Sequence, residues 1–527
     1  MRAAVLLLAV LCACLAQVEL GASVPAGGEA RGHAHVLPGV TRFNRTQRQP
    51  LKYTRYDRQR RPPPPVRHNG LLHVVKTGFF DQLLDHFDIS NPATWQQRYF
   101  ANDALYEKDG PVFLFIEGES EASSAWLQPG GSYMYQLAKM FKARMYVLEH
   151  RFFGQSQPTK DISTANLKYL SPDQALADLA YFIEHLIEWG EMQRGQKLAV
   201  FGGSYPGNLA AWARLKYPHL VHAAVASSAP VRAEVDFKEY FEVVTQSIRT
   251  ISGNECADNV KKGFDRIEKL LLTTDGLTTV QKTFLMCDPP NTANKLDMDI
   301  LYEIIANPFA GAAQYNRDNS YSQYSLKEQC KFMLGDLTDD EAVQALGNVF
   351  TASQYPFGCL DLTYKTNTAN LKSIEYDDGT RQWVYMTCAI FGYFQTADGN
   401  TVFPKGYFDV PYFEQQCKDA FGENYNDTMV QKGVLRTNTV FGDWNPDVEN
   451  VMFVNGMIDP WHSLSVLEDV NEKSPAVVIS STSHCYDMYA DDPSDSAELR
   501  QAREKIKQFV QSALYEGANG DSPTLMP

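Results

Sequence analysis

Beyond residue 22, this 527-residue chain has no run of about 18 uninterrupted apolar residues, so no later segment is expected to span a membrane. The cysteines past that point are Cys256, Cys287, Cys330, Cys359, Cys388, Cys417 and Cys485, with no CxxC pair and no histidine cluster among them. Tetrahedral metal sites need closely spaced soft ligands, so no metal site is expected. No internal repeat is found, which excludes an array of stacked repeats. Positive charge is scarce in the body of the chain. Residues 2–67 hold eleven Lys and Arg against Glu19, Glu29 and Asp57, a net of +8, whereas the whole chain carries −15, so residues 68–527 carry −23. A body of that sign repels phosphate, which argues against nucleic acid as a partner.

What is present divides the chain. Residues 1–22 carry Arg2, an apolar run and small residues at the end, the pattern of a secretory signal peptide. Residues 23–67 form a basic Pro/Arg-rich block ending in Arg60-Arg61 and Pro62–Pro65, expected to be a propeptide or a disordered arm. Six of the seven cysteines lie between 256 and 417, and in an exported chain they are expected to pair, in any of 15 ways, leaving Cys485 free. Asn44 and Asn426 head Asn-x-Thr sequons and are candidate glycosylation sites. The expected destination is the secretory pathway, ending outside the cell or in a lysosome or vesicle.

With 44% hydrophobic residues the chain can bury a sizeable core. Residues 78–100 read as two early antiparallel strands. Strands apolar on both faces follow at 112–116, 145–148, 198–201 and 223–226, the signature of a buried parallel sheet. Ser171, Pro172 and Asp173 open a helix that Gly190 stops. From 234 to 434 strand signals thin out, helical stretches such as 260–272 and 326–334 appear, and the cysteines concentrate, so an inserted helical, disulfide-braced subdomain is expected. The sheet pattern resumes at 435 with strands 451–454 and 476–480 and a helix over 497–515; residues 518–527 read as a flexible tail. Strands alternating with helices over 68–233 and 435–517 predict an α/β, doubly wound, mostly parallel sheet of α/β-hydrolase type.

The segment 197–218, KLAVFGGSYPGNLAAWARLKYP, reads as strand, tight turn and helix, the elbow that lifts a nucleophilic serine clear of a sheet edge. Pro206 stands where G-x-S-x-G has its second glycine, a position in the first helical turn where proline is tolerated. Alone, the turn is equally a Gly-rich connection with a passive serine. The wider order is more telling, because Ser204, Asp459 and His484 each follow a sheet strand in the order Ser, Asp, His. A serine needs a base to take its proton and a carboxylate to fix the imidazole tautomer. The oxyanion would be met by backbone N–H groups at Tyr205 and around Gly118. His462 lies only three residues from Asp459, His150 reads as a structural hydrogen-bonder, and Asp487 follows the histidine and breaks the order. Trp461 is either core packing or a pocket wall.

The stretches GGSYPG (202–207), EHRFFGQSQP (149–158), LDHF (84–87), QRYF (97–100), NGMIDPWHS (455–463) and SHCYDM (483–488) together resemble the serine peptidase family of lysosomal prolyl carboxypeptidase, dipeptidyl peptidase II and thymus-specific serine protease, most of all the thymus-specific branch. That resemblance implies an α/β-hydrolase core with a helical insertion and exopeptidase action on proline-containing peptides. It assigns Ser204 as nucleophile, Asp459 as acid, His484 as base and Trp461 to the proline pocket, with Glu119 also expected at the substrate. It implies no cofactor and is compatible with a homodimer. Met386 and Ile390 replace the family's usual Gln and Glu, and Glu117-Gly118-Glu119-Ser120 replaces Gly-Gly-Glu-Gly, so the sequence leaves carboxypeptidase and dipeptidyl-peptidase preference open. The rival readings are a lipase or carboxylesterase on the same fold and a catalytically silent exported binding protein.

Overall fold

The computed structural model describes residues 75–316, 325–354, 358–376 and 378–515. The leader, the basic arm, Asn44 and the 518–527 tail lie outside them. The described residues form ten strands: β1 (Lys76–Leu83), β2 (Thr94–Asn102), β3 (Val112–Ile116), β4 (Arg144–Leu148), β5 (Leu198–Gly203), β6 (Ala223–Ser227), β7 (Glu234–Asp236), β8 (Gly392–Phe394), β9 (Val451–Gly456) and β10 (Ala476–Ile479). Eight of them form one sheet in the order β1-β2-β4-β3-β5-β6-β9-β10. β1 pairs antiparallel with β2, and β2 antiparallel with β4. From β4 to β10 every neighbouring pair is parallel.

The central strands are apolar throughout because both faces are covered. On β3, Val112, Leu114 and Ile116 join a core that includes helices Pro172–Glu188 and Tyr205–Lys216. Phe113 and Phe115 point to the other face, against Tyr133–Phe141 and Ala497–Tyr515. Ser171 caps Pro172–Glu188 by accepting from Gln174 N. β5 and β9 run two residues further than their apolar runs predict, since backbone pairing continues through glycine.

The predicted helical insertion is present between the fourth and fifth parallel strands of the chain, with one addition: β7 and β8 form a small parallel sheet within it. The stretch 326–334 is a helix only over Leu326–Cys330, followed by a 3-10 turn, Lys331–Met333. Three disulfides join Cys256 to Cys330, Cys287 to Cys359 and Cys388 to Cys417, and Cys485 is the free cysteine of the described residues.

Two of the charged motifs prove to be scaffolding. Arg151 is fully buried and grips Asp178 with Nε and Nη2, both at 2.6 Å, while Nη1 donates to the carbonyls of Leu84 and Tyr169. His86 Nε2 meets the same Asp178 at 2.8 Å. The 84–87 and 149–154 stretches are thereby tied to helix Pro172–Glu188. Removing one member of a buried ion pair strands the other without solvent, which costs more than the pair itself contributes. Asp178→Ala is therefore expected to destabilise the fold by about 3–5 kcal/mol, read from urea unfolding.

Candidate active site

The elbow is built by close packing. Ser204 sits at φ 65° and ψ −135°, a region that a residue with a Cβ enters only when the surroundings hold it there. Its N–H donates to the Ser227 carbonyl at 2.9 Å, and its carbonyl accepts from Gly207 N at 2.8 Å. A Cβ on Gly202 would lie 2.0 Å from the Pro206 carbonyl, and one on Gly203 would lie 2.4 Å from Met488 Sδ. At Gly202, where the neighbour is backbone, only glycine permits the approach. Pro206 occupies the first turn of helix Tyr205–Lys216, where its missing N–H removes nothing.

β9 ends at Gly456, and Asp459 follows in a fully buried position. Its Oδ1 accepts from Trp461 N at 3.0 Å, and its Oδ2 accepts from His484 Nδ1 at 2.8 Å. A carboxylate only accepts, so Nδ1 carries the proton and Nε2 is the basic nitrogen. Nε2 is buried and has no hydrogen-bond partner; Ser204 is a half-buried residue, and its Oγ does not reach Nε2 in hydrogen-bonding geometry. Burial opposes a charged imidazole, but the Asp459 carboxylate outweighs it and holds His484 well above its ordinary range.

The other histidines and Asp487 are placed differently. His462 Nδ1 donates to the Asp459 carbonyl at 2.7 Å, so it braces the acid's turn. Asp487 accepts from Ser227 Oγ and not from His484. His150 gives its Nδ1 proton to the Arg151 carbonyl at 2.7 Å, and its Nε2 accepts from Tyr205 OH at 3.0 Å. Burial pushes His150 down to about 4, which keeps it neutral in that role.

Gly118 lies against the elbow, where a Cβ would come within 2.4 Å of Pro206 Cγ. Tyr205 is the first residue of its helix, so its N–H has no acceptor within the helix. Glu117 Oε1 accepts from Ser123 N at 3.0 Å, and burial pushes that carboxyl up to about 8. Glu149 is fully buried and binds Arg98, Ala122 N, Gln155 N and Ser156 Oγ, which anchors the 117–123 turn to the loop after β4. Glu119 is half-buried, and its charge bears on the hydroxyls of Tyr205 and Tyr315.

Trp461 is buried in the core and borders a small void. Its ring contacts Phe237, Tyr240 and Tyr393 at 5.3, 5.8 and 5.3 Å, and its indole N–H is buried without a partner. A pocket beside it is lined by Trp383, Thr387, Tyr393, Phe394, Phe413 and the Cys388–Cys417 disulfide. Met386 and Ile390 are buried around this π-helical turn, Thr387–Phe391. Asn426 caps helix Asp427–Phe441, accepting from Met429 N, at a partly exposed position.

The sequence reading missed the insertion's part in the site. Gln314, the last residue of helix Lys295–Gln314, accepts from His484 N at 3.0 Å, and Asn316 O accepts from Ser483 Oγ at 2.9 Å. Tyr315 stands edge-on to the His484 ring with centroids 5.7 Å apart. No motif marks these residues, which lie about 170 positions away in sequence from the loop they hold.

A family described as serine carboxypeptidase S28 matches residues 82–506. Thymus-specific serine protease of Mus musculus is 35% identical over 464 residues, covering 85% of this chain and 90% of that protein. Lysosomal Pro-X carboxypeptidase of Homo sapiens is 28% identical over 463 residues, covering 82% of this chain and 89% of its own. Among solved structures, a haloalkane dehalogenase loop variant from Bradyrhizobium elkanii aligns over 83% of this chain and 97% of that one at 9% identity, with a TM-score of 0.33.

Proposed function

The chain belongs to the serine carboxypeptidase S28 family and is a serine peptidase, and on that premise we propose that it cleaves peptides at or next to proline near a chain end through an acyl-enzyme formed on Ser204. The observation that carries this reading is the buried His484–Asp459 pair, with Nδ1 committed to the carboxylate and Nε2 left without a partner. In the mechanism, Nε2 takes the Ser204 proton as Oγ attacks the scissile carbonyl, and Asp459 stabilises the imidazolium. The oxyanion is met by the N–H groups of Tyr205 and Gly118. His484 then returns the proton to the leaving amine, and water repeats the sequence in reverse to free the enzyme.

We assign the proline side chain to the face of Trp461, because its ring is apolar and can lie against an aromatic surface, and its amide lacks an N–H that such walls would leave unpaired. Glu119 is the acid we assign to substrate contact, and a negative group there favours an α-ammonium end over a carboxylate. The leader-like segment, the sequon at Asn426 and the three disulfides support a secretory route, ending in a lysosome or outside the cell.

A panel of fluorogenic Xaa-Pro peptides, with free and with blocked amino ends, set against short-chain esters, tests the reading. Peptide turnover is expected, and ester turnover alone would replace it with an esterase. Trp461→Ala should cut kcat/KM on proline peptides by about 10–200-fold, the range for lost complementarity in an apolar pocket. Its reaction with a small fluorophosphonate, which does not fill that pocket, should persist.

A further inference from the structure

Asp487 is the buried carboxylate that this mechanism leaves without a task. It is 3% exposed, its Oδ1 accepts from Ser227 Oγ at 2.5 Å, and its Oδ2 is buried with no hydrogen-bond partner. Ser227 is the last residue of β6, and its carbonyl is the acceptor for the Ser204 N–H. One residue thus touches the elbow through its backbone and Asp487 through its side chain. Asp487 itself follows His484 by three positions, in the 3-10 turn Tyr486–Met488. The same turn is pinned by Cys485 N donating to Ser228 Oγ at 2.9 Å, and by Arg503 Nε donating to the Asp487 carbonyl at 3.2 Å.

The charged and titratable groups facing Asp487 are few. From its own loop come His484 and the Cys485 thiol, and from helix Ala497–Tyr515 comes Arg503, whose guanidinium is engaged by Asp491 and Asp495. β6 contributes only the Ser227 hydroxyl. Burial pushes the Asp487 carboxyl up to about 6, with the Ser227 hydroxyl, Arg503 and His484 pulling it back. A mere tie between loop and strand would be served by an uncharged amide. An ionisable group three positions from His484 adds its charge to that of Asp459, which acts on the base together with the neighbouring Cys485 thiol.

We propose that Asp487 is a positioning residue that ties the base loop to the nucleophile strand through Ser227, and that its ionised carboxylate favours protonated His484 and so sets the pH at which the base becomes available. The inference rests on the triad reading above. The sign follows from charge: an anion near the imidazole stabilises imidazolium over imidazole, so His484 gives up its proton at higher pH when Asp487 is ionised. Taking that charge away should make the free base available at lower pH.

The test is the pH dependence, between about pH 4.5 and 8.5, of kcat/KM on a proline peptide and of the fluorophosphonate labelling rate, both of which need the neutral base. In Asp487→Asn the acid limb of both profiles is expected to move to lower pH. In Ser227→Ala the hydroxyl that favours the ionised carboxylate is gone, so the limb should move in the same direction by less. Limbs that superimpose on wild type after scaling, or that move to higher pH, overturn the proposal, since a purely structural role lowers activity without shifting its profile. If Asp487→Asn does not fold, the Ser227→Ala profile decides by the same criterion. Wild type that fails to label at any pH would remove the triad reading and this inference with it, whereas labelled wild type with unshifted variants removes this inference alone.

Discussion

Ser204→Ala is expected to abolish fluorophosphonate labelling of the folded protein and to lower kcat on proline peptides by about 10⁶-fold, the scale on which serine peptidases lose rate when the nucleophile is removed. Alanine keeps the Cβ, so the strained backbone at φ 65° and the contacts of Gly202 and Gly203 are unchanged. What goes is the one oxygen that Nε2 of His484 can activate. Unchanged thermal unfolding with lost labelling would locate the chemistry at Oγ. Labelling that survives the substitution would assign the reactive group to another residue and end the acyl-enzyme reading at Ser204.

Asp459→Asn carries the second largest expected effect, a fall in kcat of about 10⁴-fold with KM little changed. The carboxylate accepts from Nδ1 at 2.8 Å and so keeps Nε2 free of a proton. An amide in its place can donate to Nδ1, which moves the imidazole proton to Nε2, where it cannot accept from serine. The substitution is nearly isosteric, and the amide oxygen can still accept from Trp461 N, as Oδ1 does at 3.0 Å. Loss of rate with retained substrate binding therefore reports the tautomer. Activity within about tenfold of wild type would pass the orienting role to another carboxylate.

The parts of the fold that a reader of the sequence can see are those that local chemistry writes out. The apolar runs at 112–116 and 198–201 are buried on both faces because the sheet is covered on both, and short apolar runs bounded by turn residues are what such strands look like in a sequence. Ser171-Pro172-Asp173 starts a helix because side chain, ring and charge each satisfy the first turn. The elbow is legible for the same reason, since small residues on either side of Ser204 are needed for backbones to meet. By contrast, the apolar runs of β5 and β9 stop two residues short of the strand ends, because pairing runs on into glycines that carry no apolar signal, whereas β10 ends one residue before the expected 480. Of the charged motifs, the structural role of His150 is legible, but the ion pairs are not. Arg151 and His86 sit in stretches that share a family look with the elbow, yet their common partner is Asp178, on a helix outside those stretches.

The sequence by itself determined the alternation of strands and helices, the six cysteines that would pair, and three residues of suitable type at strand ends in the order Ser, Asp, His. Tertiary structure alone decided how the six cysteines pair, that His484 turns to Asp459 while Asp487 turns to Ser227, and that the end of helix Lys295–Gln314 holds the base loop. The difference is one of range. Strand, cap and elbow signals arise between residues a few positions apart, whose geometry the backbone already dictates. A carboxylate 25 residues from its histidine, or a hydroxyl 260 residues from its acid, acquires a partner only when the core packs and brings the two chains of contacts together.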